Sequence, residues 1–237
     1  MVVSPFRTGT LAALLLLVSV FSAAAQEGEP RPRVSIETSL GTIVVELYNE
    51  TPKHRDNFLK LVGEGFYDGT LFHRVIAGFM AQGGDPNSKE AEAGARLGTG
   101  GPGYTIESEI DPAFVHTKGA LAAARQGDQV NPNRRSSGSQ FYIVQGRDVT
   151  PQSLQNIVQS KRGSILQAFS YTPDQIAAYG ELGGTPHLDM QYTVFGQVVE
   201  GLDVLDAICA VQTDRANRPA EDVRMTMTLL DCIHVHP

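Results

Sequence analysis

The 237-residue chain is long enough for one large domain or at most two small ones. Its 26 acidic side chains outnumber its 19 basic ones, giving a formal net charge of −7, and its Lys and Arg residues run together no further than pairs such as Arg134-Arg135. Nucleic acid is therefore not an expected partner, because phosphate contact relies on Lys and Arg.

Arg7 and the apolar run LAALLLLVSV (residues 11–20) open the chain, and SAAAQ supplies an Ala-x-Ala site at Ala23 and Ala25. This is the pattern of a secretory signal over residues 1–25, with an apolar run too short to span a bilayer. An uncleaved anchor is the alternative. No cysteine follows the run, so a lipoprotein anchor is not expected. The expected address is the periplasm, with secretion as the other outcome. Residues 26–32 read as a flexible tether, and residues 33–237 as the folded domain.

RVSIETSLGTIVVELY alternates with period two around an SLGT turn and predicts a β-hairpin. TPKHRDNFLKLVGEG predicts a helix with Thr51 as N-cap and Pro52 at its first position. Phe58, Leu59 and Val62 fall on one face, and Gly63 or Gly65 ends it. Short strands with glycine-rich connections are expected at 71–76, 79–82, 104–108, 120–124, 141–145, 193–198 and 225–231. A second helix fits 202–210, with Leu202, Leu205 and Ile208 in step.

Residues 148–184 break the rhythm. Thr150 and Pro151 open one helical stretch there. Thr172 and Gln175, at capping-box spacing, open another that ends at Gly183-Gly184. This predicts a helical hairpin inserted into a strand connection. The fold class expected is all-β: about eight antiparallel strands closed into a barrel or stacked as a sandwich, with two helices capping the open ends. Cys209 and Cys232 can pair in an exported protein, and two buried thiols are the alternative.

GTGGPG (residues 98–103) has the spacing of a dinucleotide-binding loop but neither the preceding strand nor the following helix, and it reads as a mobile glycine loop. No serine sits in G-x-S-x-G, and neither cysteine lies near a histidine in a nucleophile pattern. His234 and His236 share a strand face but lack a nearby third ligand, so no metal is expected.

Three motifs remain: FHRVIAGFMAQGGDP (72–86), GSQFYIVQG (138–146) and YTVFGQVVEG (192–201). In this order they resemble the cyclophilin-type peptidyl-prolyl cis-trans isomerases, over most of residues 33–231 apart from the 148–184 insert. The resemblance implies an eight-stranded antiparallel β-barrel with two capping helices. It also implies an isomerase acting on proline-containing, unfolded or partly folded chains, without a cofactor, and nothing argues against a monomer.

Roles follow position by position. Arg74 stands where the family has its active-site arginine. Phe79, Met80 and Gln82 match its FMxQ residues, and Gln140 its G-S-Q-F glutamine. Leu188 fits the pocket leucine, while Tyr142 stands where many members have phenylalanine. Tyr192 stands where eukaryotic members have histidine. Ala124 and Arg125 occupy the place of an Ala-Asn pair whose backbone binds substrate, so the main-chain role alone transfers to Arg125. His187 falls where many cyclosporin-sensitive members have tryptophan. A barrel filled by its own side chains puts such a site on its outer face. The rival reading is a non-catalytic module that grips proline-containing segments. The 148–184 insert is expected to dock beside the site and select long clients without touching the bond-twisting step; a purely structural role is the alternative.

Overall fold

The computed structural model of the protein describes residues 29–161 and 169–230, together with residue 1. The signal segment with its cleavage site, the start of the tether, Ile165 of the insert, Cys232, His234 and His236 lie outside the described residues, and so does the Cys209–Cys232 pairing.

Alternation places Val34 and Ile36 of β1 (Arg33–Thr38) and Ile43, Val45 and Leu47 of β2 (Gly41–Leu47) in the interior, each with no exposed surface. The turn between them is fastened by the Thr38 hydroxyl, which accepts from Leu40 N at 3.1 Å and donates to Gly41 O at 2.8 Å. Residues 29–32 are tied to the barrel: Leu47 N donates to Pro32 O, and Arg31 pairs with Glu50 at 2.9 Å.

Helix α1 (Pro52–Gly63) starts on its proline with Thr51 at the N-cap position, as expected, but the Thr51 hydroxyl makes no capping bond and donates to Tyr48 O instead. Its buried face is Phe58, Leu61 and Val62, with Leu59 only half-buried. The i, i+3, i+4 rule selects Leu61, so the expected face was rotated by part of a turn.

The remaining strands are β3 (Arg74–Ile76), β4 (Met80–Gly83), β5 (Thr105–Ile106), β6 (Ala120–Ala123), β7 (Ser136–Ser137), β8 (Phe141–Val144), β9 (Val194–Glu200) and β10 (Met225–Leu230). Eight of the ten strands among the described residues form one antiparallel sheet in the order β10-β1-β2-β9-β6-β8-β4-β3. Its two ends meet: Leu71 bridges Arg224, Phe72 N donates to Val223 O and Met225 N to Thr70 O, both at 2.9 Å. The expected strand at 71–76 is therefore split, its first half closing the barrel and its second half forming β3. The expected strand at 104–108 is no part of the barrel; β5 pairs only with β7 in a separate two-stranded ribbon.

Helices α2 (Pro151–Lys161) and α3 (Pro173–Leu182) occupy the insert, and α4 (Leu202–Cys209) precedes the last strand. The capping box of α3 forms as expected: Thr172 Oγ1 accepts from Gln175 N at 3.2 Å, and Gln175 Oε1 from Thr172 N at 3.0 Å. Gln175 Nε2 also donates to Pro112 O, which seats α3 on the chain leading to β6.

Strands β6 and β8 are buried on both faces, and so is β4 apart from Gln82. Inward, Val75, Ala81, Leu121, Ala123, Phe141 and Ile143 join the main core, which α1 and α4 cover with Phe58, Leu205 and Ile208. Outward, Met80, Ala120, Ala122, Tyr142, Val144 and Val194 form a second cluster, with Phe79, Leu188 and Tyr192 packed against it. Buried Cys209 has its thiol pushed up to about 12, chiefly by desolvation. It is expected to resist alkylation in the native protein near neutral pH, because the thiolate is the reactive form. Thiol titration without reductant after denaturation then decides the pairing: two titratable thiols refute a Cys209–Cys232 bond.

Candidate active site

The strand ladder sets Arg74 opposite Gln82, Gln82 opposite Tyr142, and Tyr142 opposite Ala122. Cross-strand partners share a face, so all four side chains rise from the outside of the barrel. A chain of amides then fixes the arginine. Arg74 Nη1 donates to Gln82 Oε1 at 3.1 Å, Gln82 Nε2 to Gln140 Oε1 at 3.1 Å, and Gln140 Nε2 to Gly100 O at 2.8 Å. The chain ends in the glycine loop, whose main chain is fastened at Gly98 and Gly100. The fully buried Asp85 carboxylate accepts from Gly98 N and Gly100 N, and also from Asn87 N at 2.8 Å. A Cβ on Gly100 would overlap the Asp85 carboxylate, so the close approach requires glycine there.

Beside Arg74 lies a cavity of about 120 Å³, lined by Arg74, Phe79, Met80, Gln82, Ala124, Arg125, Tyr142, Leu188 and Tyr192. Of the residues given a catalytic or substrate-binding role in the sequence, Gln140 alone stands back from it, buried behind Gln82 as its brace. The Arg125 side chain is turned to structural use. Its guanidinium lies 4.6 Å over the Tyr192 ring, its Nε donates to Gln191 O at 3.0 Å, and its Nη1 pairs with Asp128 at 2.6 Å. That hydrogen bond, above all, holds the Asp128 carboxyl below its usual range. His187 is exposed and stacks on Phe79, with ring centroids 5.7 Å apart.

The family described as "Cyclophilin type peptidyl-prolyl cis-trans isomerase/CLD" matches residues 33–229. The chain belongs to the cyclophilin-type peptidyl-prolyl cis-trans isomerase family. A Staphylococcus aureus (strain USA300) protein named for peptidyl-prolyl cis-trans isomerase activity is 37% identical over 202 residues, covering 84% of this chain and 90% of the relative. A Streptococcus pyogenes serotype M6 protein named for both phosphatase and peptidyl-prolyl cis-trans isomerase activities is 38% identical over 203 residues, and this chain spans 38% of its length. Among solved structures, a cyclophilin-type isomerase of Cryptosporidium parvum superposes with a TM-score of 0.59 at 25% identity, covering 87% of this chain and 99% of that one. The same parasite protein solved in the presence of the dipeptide Ala-Pro shares the fold, at a TM-score of 0.58 and 23% identity.

On this cyclophilin barrel, sequence reasoning missed a buried polar group behind the cavity. The Tyr142 hydroxyl lies 3.0 Å from His116 Nε2, and His116 Nδ1 lies 2.8 Å from Asp189 Oδ1. The hydroxyls of Tyr171 and Tyr179, both from the insert, donate to Asp189 Oδ2 at 2.7 Å each. A single signal pointed that way: Asp189 follows the pocket leucine directly. His116 lies 73 residues from Asp189, and nothing local in FVHTKG marks it.

Burial pushes Tyr142 well above its ordinary value, and burial followed by the Asp189 charge pushes Tyr171 and Tyr179 up too. In the unfolded chain these tyrosines ionise near ~10. Their folded values are raised, so their contribution to stability is complete below about pH 10 and is lost as the pH climbs above it. Urea midpoints are expected to hold steady to about pH 9 and fall by about pH 11. A flat midpoint across that range would show that the tyrosines titrate alike in both states.

Proposed function

We propose that this cyclophilin is exported and accelerates X-Pro isomerisation in exported chains as they fold, with Arg74 as its catalytic residue and the adjoining apolar cavity as its proline pocket. The observation carrying this reading is the Arg74 guanidinium, fixed by Gln82, at the edge of a cavity whose apolar lining is Phe79, Met80, Ala124, Tyr142, Leu188 and Tyr192, with Gln82 and Arg125 beside them.

The chemistry asks for little more. Amide resonance resists twisting with a barrier of about 18–20 kcal/mol, so an X-Pro bond turns over in tens to hundreds of seconds. No bond breaks. In the twisted state resonance is lost, and the proline nitrogen becomes pyramidal and gains a lone pair. A fixed donor beside that nitrogen favours the twisted state over both planar ones, which is the condition for rate enhancement. Arginine keeps its charge at any working pH and offers five N–H donors, of which Gln82 takes one. The apolar walls hold the proline ring. Gln82 and the main chain at Arg125 hold the residue before it.

Export is supported by the leader pattern over residues 1–25. Among the described residues, no helix is long and apolar enough to cross a membrane. A protease-coupled assay on an Ala-Pro tetrapeptide tests the activity. Acceleration is expected, whereas binding without acceleration would leave only a proline-gripping module. Cell fractionation, with a mature N-terminus at Gln26, tests the export.

A further inference from the structure

The group behind the cavity is built from both sides of the insert's attachment. Asp189 is 1% exposed, His116 and Tyr179 are fully buried, and Tyr142 is 5% exposed. Asp189 Oδ1 accepts from the His116 main-chain N and faces its Nδ1, both at 2.8 Å, while Oδ2 takes the two tyrosine hydroxyls. A carboxylate only accepts, so the hydrogen-bond pattern places a ring proton of His116 on Nδ1. Its Nε2 meets the Tyr142 hydroxyl. The contacts run from the pocket wall to His116, and from His116 and the insert to one buried carboxylate.

We propose that Tyr171 and Tyr179 are positioning residues for the proline pocket, acting through Asp189 and His116 on the ring of Tyr142. This rests on the prolyl-isomerase reading above. The Tyr142 ring lies edge-on to Tyr192 with centroids 5.8 Å apart, so its plane sets the shape of the apolar wall. The hydroxyl bond to His116 fixes that plane. Asp189 also ends the 3-10 turn Pro186–Leu188 that carries Leu188, so anchoring the carboxylate anchors a second wall residue. The pair of tyrosines holds the carboxylate oxygen that His116 does not reach. Losing both bonds loosens Asp189 and, through it, His116. The insert is then a working part of the pocket and not a detachable wall for long clients.

The test is a cycle of hydroxyl deletions that keep every ring. A Tyr171→Phe/Tyr179→Phe double variant is expected to lose about five- to tenfold in kcat/KM on an Ala-Pro tetrapeptide. The loss should sit in KM, with kcat within about twofold, because Arg74 and Gln82 are not part of the chain. Tyr142→Phe alone should show the same pattern, and combining all three should cost little more than either alone, as expected of residues acting as one unit. Additive losses, or a double variant within about twofold of wild type, would overturn the proposal. The His116 Nε2 resonance in ¹⁵N spectra supplies a direct readout: it should shift in the double variant although neither tyrosine touches that nitrogen. An unmoved resonance also overturns the proposal. If the double variant does not fold, Tyr171→Phe alone, removing one of the two bonds, serves with the same two readouts. Should wild-type protein show no isomerase activity, the functional reading falls separately, and affinity for the Ala-Pro tetrapeptide replaces KM in the same cycle.

Discussion

An Arg74→Ala variant is expected to lose at least tenfold in kcat/KM toward an Ala-Pro tetrapeptide, a deficit of about 1.4 kcal/mol or more in transition-state stabilisation. The fold should survive. Arg74 is half-buried on the outer face, and its partner there is the Gln82 amide rather than a carboxylate, so truncation strands no buried charge. The loss should fall on kcat, because the missing donor matters most when the proline nitrogen is pyramidal. Arg74→Lys should recover little. A lysine is a point charge on a flexible stem, and it cannot hold Gln82 with one arm of a planar fork while presenting another. Gln82→Ala separates the two contributions: it frees the guanidinium without removing it, and should cost less than Arg74→Ala. A well-folded Arg74→Ala protein with wild-type turnover would end the mechanism.

Asp85→Ala should produce the largest loss of stability among single changes near the site. The side chain is fully buried and satisfies three main-chain N–H groups, from Asn87, Gly98 and Gly100. Each buried donor left bare costs about 1–3 kcal/mol, so a loss of about 3 kcal/mol or more is expected from urea unfolding. Asp85→Asn should be milder, since the amide oxygen still accepts while its NH2 faces donors it cannot satisfy. Activity should fall along with stability. Gly100 O receives Gln140, which braces Gln82, which holds Arg74, so releasing the loop releases the arginine. A variant within about 0.5 kcal/mol of wild type would show that the loop finds other acceptors.

Much of this was legible along the chain because the signals are local. The hairpin of β1 and β2 declares itself by alternation, α1 by its N-terminal proline, and α3 by the Thr172–Gln175 box. The cavity residues came from family resemblance; no spacing argument could have joined Arg74, Tyr142 and Leu188 around one space. What stayed hidden was non-local. Whether 71–76 is one strand or two depends on Val223 and Met225 arriving at the far edge of the sheet. The pin on the glycine loop depends on Asp85 meeting main-chain groups more than ten residues on. The Leu59 misplacement was instead a local error of helical phase. The joining of the insert to the pocket depends on Asp189, an acid in a polar-looking turn whose partners fold in from three separate segments.

The row Arg74, Gln82, Tyr142, Ala122 runs perpendicular to the strands that carry it. Neighbouring strands lie ~4.8 Å apart, so four rungs measure about 14 Å end to end. An extended client advances ~3.3 Å per residue, so about four of its residues cover that ruler. A chain laid along it crosses the ladder instead of extending an edge, and most of its own amides stay in water. Recognition of this kind asks for one proline and a short stretch of pliable backbone, and is nearly blind to what surrounds them. On the proposed folding role, that blindness serves unrelated clients alike, because an edge-pairing groove would hold each of them too long.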